Sequence, residues 1–315
     1  MPLARIHSAE EWTGRFGTDG KPSVVTIGNF DGVHLGHQKI LGDTRELAAR
    51  TQAMAIVLTF YPHPARVLRP AQAPLLLMTL EQRLAAIGKL GLDAALVLPF
   101  DEALAKMSAE EFVTKYLKET LKASAVVIGN NFRFGRGQQG DAKLLHSMGL
   151  DVHPTPPVEV EGVAVSSSAI RLAVSEGRME DAARMLGRPY SLAGEIVPGT
   201  GQGRKLVVPT LNLSTRQELL PKLGVYATET AVGGKAYRSA TNVGTRPTFD
   251  GQRLSIESHL LDFSGNLTSG EMEVRFLRRL RDEQKFPSPE SLRHQVLDDI
   301  TQAKSYFLAR DAKRA

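Results

Sequence analysis

Two histidines three residues apart, His34 and His37, stand in the string GNFDGVHLGH at 28–37, between an apolar run (Val24, Val25, Ile27) and a helical pattern. Gly28 and Gly32 admit tight or positive-φ backbone and let a ligand approach the chain closely. Amides at the start of the following helix supply donors and partial positive charge, a combination that suits phosphate. On a helical first turn the two imidazoles share one face. Metal ligation is the competing use of such a pair, and simple hydrogen bonding in a turn is the plain one. The chain contains no cysteine, and no third metal ligand stands close by in sequence. Strand, glycine turn, Asp31 and paired histidine together favour phosphate chemistry. Phe30 at a strand end also fits a core position, and Asp31 in a turn also fits a backbone cap.

A second group of residues lies near residues 200–260. GTGQGRKLVVPTLN at 199–212 repeats the glycine-rich logic, with Gly199 and Gly203 allowing close backbone approach, although a plain hairpin connection uses the same residues. Thr210 and Asn212 add oxygen donors of the kind that Mg²⁺ accepts. Further on, SIESHLLDF at 255–263 reads as a strand, so Glu257 and His259 share one face. A carboxylate inside an apolar strand costs free energy unless it is satisfied or used, which makes Glu257 a candidate general base.

Three more strings carry chemistry. TFYPHP at 59–64 brings His63 between two prolines, where packing alone is the simpler explanation. GNNFRFGRGQQGD at 129–141 interleaves Phe132 and Phe134 with Arg133 and Arg136, a composition that stacks on a planar ring beside an anion. VSSSAIR at 165–171 opens a helix with Ser168 as N-cap and puts Arg171 in the first turn, a position unfavourable to a cation unless an anion answers it.

The elements that position these strings divide the chain in two. From residue 24 to about 155, short β-rich runs at 24–27, 55–60, 94–98, 125–128 and 151–153 alternate with helical patterns, the mark of an α/β, doubly wound parallel sheet. Capping boxes, Thr79 with Gln82 and Ser108 with Glu111, open helices over 79–90 and 108–121. Ligands of such sheets bind beyond the strands' carboxyl ends, where the 28–37, 59–64 and 129–141 strings fall. After a helix at 179–186, strands without intervening helices are expected at 191–197, 207–213, 224–230, 235–243, 254–261 and 271–280, an antiparallel six-stranded barrel. A terminal helix with Ser288 as N-cap and Pro289 at its first position runs to about 308. The domains expected are 1–186 and 187–315.

Composition bounds the rest. At 315 residues, 42% hydrophobic and 23% charged, the chain has the length and make-up of two globular domains. No apolar run reaches membrane-spanning length and the N-terminus lacks a signal-peptide core, so a cytoplasmic protein without a membrane partner is expected. The absence of cysteine removes disulfides and thiolate catalysis. Cut after residue 184, the first part carries 20 basic and 20 acidic residues and the second 19 and 14, so the net charge of +5 belongs to the second. An anionic substrate would use such an excess, as would nucleic acid. RFLRRLRDEQK at 275–285 alternates with apolar residues, however, and reads as a half-exposed strand with a solvated face. No nucleic-acid partner is expected.

The 28–37 string resembles the HxGH signature of the nucleotidyltransferase superfamily, and its GxFDGVHxGH version resembles the FMN adenylyltransferase branch. The resemblance implies a Rossmann-like nucleotidyltransferase domain in which His34 and His37 contact ATP phosphates and Gly28, Asn29, Phe30, Asp31 and Gly36 line the nucleotide site. Asn131, Phe132, Arg133 and Phe134 match a segment on the flavin side of that family's site, where His63 would join them. VSSSAIR resembles the motif SSTxIR, with Ser168 in the usual threonine's place, and implies that Ser166, Ser167 and Arg171 hold phosphates. The later region resembles riboflavin kinase, with its GxxxGxxxGxPTAN and ExH motifs. That implies Mg²⁺ and nucleotide at Thr210 and Asn212, nucleotide contacts at Gly199 and Gly203, and activation of the ribityl 5′-hydroxyl by Glu257. Val207 and Val208 stand where that family usually has Gly-Phe or Gly-Trp, and Leu211 replaces its alanine, which keeps open a barrel that binds flavin without phosphorylating it. A flavin-responsive nucleic-acid regulator is the alternative from another class. The whole pattern resembles the bifunctional riboflavin kinase/FMN adenylyltransferases, or FAD synthetases, with riboflavin, FMN and ATP as substrates and Mg²⁺ as cofactor.

Overall fold

The computed structural model describes residues 2–17, 21–198, 208–248, 251–265 and 267–312, without the side chains of 246–248 and 251–253. By contacts the chain forms two compact units, Met1–Ser167 and Ser168–Ala315.

Six parallel strands make the sheet of the first unit: β1 (Ala4–Ile6), β2 (Ser23–Ile27), β3 (Met54–Tyr61), β4 (Ala94–Pro99), β5 (Ala123–Gly129) and β6 (Asp151–Thr155), in the order β1-β4-β3-β2-β5-β6. β2 lies between β3 and β5, so the chain's two windings diverge from its carboxyl end. Residues of β2, β3 and β4 are buried on both faces, as a sheet covered on two sides requires. One face carries Val25, Ile27, Ile56, Leu58, Leu96 and Ile128 against Trp12 and Phe112. The other packs Val24, Ala55, Val57 and Val97 against Leu41, Leu84 and Ile87. Those residues come from α1 (Ala9–Phe16), α2 (Leu35–Thr51), α4 (Leu80–Gly88) and α6 (Ala109–Phe112), while α3 (Pro64–Leu68), α5 (Glu102–Lys106) and α7 (Ala142–Ser147) are short connecting helices. A small hairpin, β7 (Glu159–Val160) with β8 (Val163–Ala164), closes the unit.

The expected strands of this unit are present, with β1 and the hairpin in addition. Both capping boxes form, at Thr79 with Gln82 and at Ser108 with Glu111. The second helix differs from the expectation, because after α6 the chain continues to Thr120 in π-helical winding.

The second unit begins with α8 (Ser167–Glu176) and α9 (Met179–Leu186). The expected domain boundary put these helices with the sheet; by contacts they cluster with the barrel from Ser168 onward. Val174 accepts a bond from the Lys222 amide at 3.3 Å, Glu180 pairs with Arg278 at 3.6 Å, and Met179, Ala182, Met185 and Leu186 are buried where α9 meets β9 (Tyr190–Val197) and β14 (Glu271–Asp282). α8 opens at Ser167, so Ser168 lies inside its first turn instead of capping it.

With β10 (Leu211–Thr215), β11 (Gly224–Val232), β12 (Lys235–Thr248) and β13 (Gly251–Leu260), those strands close an antiparallel barrel in the order β10-β13-β12-β11-β14-β9. Tyr226 and Phe276 meet edge to face in its interior, at 5.2 Å between centroids. Beside them runs a chain of buried hydroxyls. Thr228 bonds Ser239 at 2.7 Å and Thr241 at 2.6 Å, Thr230 bonds Ser239 at 2.8 Å, and Thr241 bonds Ser258 at 2.7 Å. Each would be costly alone, and each is satisfied by the next. On the outer wall Ala227, Ala240, Leu261 and Leu277 pack against Ala303 and Phe307 of α10 (Pro289–Ala312). Asp299 of that helix accepts from Arg281 Nε and Nη2, each at 2.7 Å, and Ser288 caps it through the Ser291 amide.

Candidate active sites

The turn after β2 sits where its two windings diverge, the place at which open α/β sheets bind ligands. His34 is the N-cap of α2, and its Nδ1 accepts the His37 amide at 3.3 Å. In the neutral ring that bond leaves the proton on Nε2. The His37 ring stacks on His34, 3.6 Å between centroids and 18° between planes, with Phe30 at its edge 5.2 Å away. Burial first, then His34 and Arg83, push His37 well below the usual histidine range, so it is neutral at neutral pH. Gly36 lies so close that a Cβ there would stand 3.2 Å from the His34 ring.

The turn itself is strained and tightly braced. Phe30 has φ +50° and Val33 φ +40°, left-handed values that cost a bulky or β-branched residue about 1–3 kcal/mol each. Asp31, 3% exposed, turns its carboxylate to the Leu77 and Met78 amides at 3.1 and 3.3 Å, while its carbonyl accepts from Ser167 Oγ at 2.8 Å. Its side chain thus braces a loop far from it in sequence. Arg83, 5% exposed, donates to the carbonyls of Asn29 and, at 3.1 Å, Phe60, joining the ends of β2 and β3. Burial lowers the Arg83 pKa, while Asp31 and Tyr61 hold it up.

Asn29 Oδ1, His37 Nδ1 and Arg83 Nε are buried and without a hydrogen-bond partner. Buried polar atoms are otherwise paired almost throughout proteins, so this group marks the turn as built for a polar ligand. Gly28 begins the turn, where a Cβ would meet the Phe30 ring at 3.2 Å. Ser167 is brought to the motif, with Ser166 beside it in the chain, whereas Arg171 lies further along α8 in the second unit.

The proposed flavin residues divide. His63 caps α3, its Nδ1 accepting the Ala65 amide at 3.2 Å. Asn131 follows β5 in an exposed turn. Phe132 and Phe134 stack on each other at 5.4 Å, and Phe134 packs on Phe112 at 5.7 Å as part of the core. Arg133 pairs with Asp141 at 3.0 Å.

In the barrel, strand register does what the sequence could not display. Asn212 of β10 and Asn242 of β12 both pair with Glu257, which lies between them on β13. The three residues form one cross-strand row on the barrel wall, their side chains on one face. Ser255 donates to the Glu257 carboxylate at 3.1 Å. Thr210 precedes β10 directly, and the carbonyl of Pro209 lies 2.9 Å from His259 Nδ1. Thr210 and Asn212 give neutral oxygens that fit Mg²⁺ shared with substrate phosphates. Gly199, Gly203 and Val207 lie outside the described residues.

Arg83, Asn242 and His259 were not among the expected site residues. Arg83 carried a signal, a cation on the same helical stripe as Leu80, Leu84 and Ile87. Among the described residues no cluster of three or more His, Cys, Asp or Glu forms, so nothing joins the imidazole pair as a further metal ligand of those types. Of the basic string on β14, Arg275, Arg278, Arg279 and Arg281 pair with Glu273, Glu180, Asp282 and Asp299.

Each part of the chain matches a known family. The family described as FAD synthetase matches residues 17–169, and the family described as riboflavin kinase matches 186–307. The chain is 34% identical to the bifunctional riboflavin kinase/FMN adenylyltransferase of Escherichia coli (strain K12), over 90% of this chain and 92% of that protein. Its counterpart in Pseudomonas fluorescens is 36% identical with the same coverage. A Streptococcus pneumoniae chain whose structure is described as that of a macrolide-efflux protein superposes with TM-score 0.85 and 29% identity, over 96% of this chain and 99% of that one. No helix among the described residues of this chain is long and apolar enough to cross a membrane.

Proposed function

Because the chain belongs to the bifunctional riboflavin kinase/FMN adenylyltransferase family, we infer how its two reactions fall on named residues. The barrel unit phosphorylates riboflavin to FMN with ATP, and the sheet unit adenylylates FMN to FAD with release of pyrophosphate.

For adenylyl transfer, an FMN phosphate oxygen attacks the α-phosphorus of ATP in line, and the bond from that phosphorus to the pyrophosphate oxygen breaks. No proton transfer and no protein nucleophile are needed. The barrier falls through positioning and through donors aimed at the transferring and leaving phosphates. His34 Nε2–H, the α2 amides and the His37 ring are those groups, with Asn29 beside them. Ser166, Ser167 and Arg171 add phosphate contacts by their match to the family motif. His63, Asn131 and the edges of Phe132 and Phe134 line the flavin side.

For phosphorylation, Glu257 takes the proton of the ribityl 5′-hydroxyl as its oxygen attacks the γ-phosphorus and ADP leaves. Thr210 and Asn212 would hold Mg²⁺ with ATP, and the ion would supply charge neutralisation of the phosphates. A cytoplasmic setting accords with two ATP-dependent reactions in a chain without cysteine.

The observation that carries this reading is the stacked histidine pair at the switch point, among buried polar atoms that lack partners. Its test is a pair of variants given riboflavin, ATP and Mg²⁺, with FMN and FAD separated chromatographically. His34→Ala with His37→Ala is expected to stop at FMN. Glu257→Gln is expected to make no FMN yet to convert added FMN to FAD. Undiminished FAD from the first, or a normal kinase rate in the second, removes the assigned role.

A further inference from the structure

β10 and β13 pair through Asn212 with Glu257 and Leu211 with Ser258. One step further the register would set Thr210 opposite His259, and there the ladder ends. Pro209 has no N–H to continue it, but its carbonyl still requires a donor. His259 Nδ1 lies 2.9 Å from that carbonyl. A carbonyl only accepts, so the ring carries a proton on Nδ1. The side chain thereby extends by one bond the pairing that proline stops. His259 is two residues beyond Glu257 and shares its face of the strand.

We propose that His259 is a positioning residue for riboflavin phosphorylation, its Nδ1–H fixing the Pro209 carbonyl and so holding Thr210 beside Asn212 and Glu257. This rests on the assignment of Thr210 and Asn212 to ATP and its metal. The bond acts through the backbone, so its loss misplaces the nucleotide more than the flavin. It also needs a donor at the Nδ1 position and no imidazole as such. An asparagine amide nitrogen reaches about that position, whereas a glutamine amide extends towards Nε2.

The experiment uses the full chain and measures FMN formation from riboflavin separately from FAD formation from added FMN. His259→Ala and His259→Gln are expected to raise the KM for ATP in phosphorylation about tenfold, the scale of one ordinary hydrogen bond, with the KM for riboflavin changed less than about threefold. His259→Asn is expected to stay within about threefold of the parent in both. FAD formation from added FMN is unchanged in all three. A His259→Asn variant no better than His259→Ala overturns the proposal. An unchanged KM for ATP in His259→Ala overturns it while leaving the Thr210 and Asn212 assignment standing if Asn212→Ala still raises that KM, and overturns both if Asn212→Ala does not. Denaturant unfolding of each variant identifies loss of the barrel. If His259→Ala does not fold, the His259→Asn and His259→Gln pair decides by the same contrast.

Discussion

At His37 an enclosed ring, a stacked imidazole and a buried guanidinium all resist protonation. An ordinary histidine titrates near about 6.5. Below that pH the unfolded chain takes up a proton that the folded chain refuses, so folding stability falls with acidification from about 6.5 towards the lowered value and is indifferent above it. The slope is at most about 1.4 kcal/mol per pH unit. His37→Asn should flatten it, which denaturant midpoints at pH 7 and pH 5 will show. Gly36 gives a second prediction at this scale. A side chain there presses on a His34 ring that its N-cap bond and its stacking partner already fix, so Gly36→Val should lower FAD formation from FMN by about tenfold or more. FMN formation by the same protein is the control. The histidine pair was legible from spacing and glycine alone. Arg83 was legible only as an anomaly, a cation on an apolar helical stripe, because the carbonyls of Asn29 and Phe60 that it joins come together only in the folded sheet.

Among the elements, the strands show where periodicity suffices and where it does not. Runs such as 94–98 and 125–128 declared themselves, and the barrel strands were readable from alternation bounded by glycine and proline. β1 is three residues long, too short for any pattern, and it exists because β4 offers it a parallel edge. The aromatic string after β5 invited a stacking role, and its rings also stack on one another and on Phe112, which ties Phe134 to the core. Cross-strand rows are hidden by nature, since Asn212, Asn242 and Glu257 become neighbours only through register. The hydroxyl chain of the barrel yields a prediction at this scale. Thr241→Val removes the link between Thr228 and Ser258, and the barrel should lose about 1–3 kcal/mol. Denaturant unfolding followed by near-UV circular dichroism measures it.

For the whole molecule, two units with separate cores carry one reaction each. FMN released by one chain should therefore serve another. An equimolar mixture of Glu257→Gln with the His34→Ala, His37→Ala double variant should make FAD from riboflavin although neither protein does so alone; a mixture that stays inactive would tie both steps to a single chain. The division into sheet and barrel was visible in the shift from helical periodicity to alternation near residue 187. The allegiance of α8 and α9 was not, because a contact such as Lys222 with Val174 joins residues far apart in sequence. Closure of the barrel has a further consequence. A ring of strands has no outermost member, so a passing extended polypeptide finds no unfilled row of amides and carbonyls to copy. In the sheet only the rims at β1 and β6 present such rows, and three residues at β1 give a very short template. A concentrated solution of this enzyme should thus resist fibril seeding through the kinase half, leaving the far rim at β6 as the place to guard.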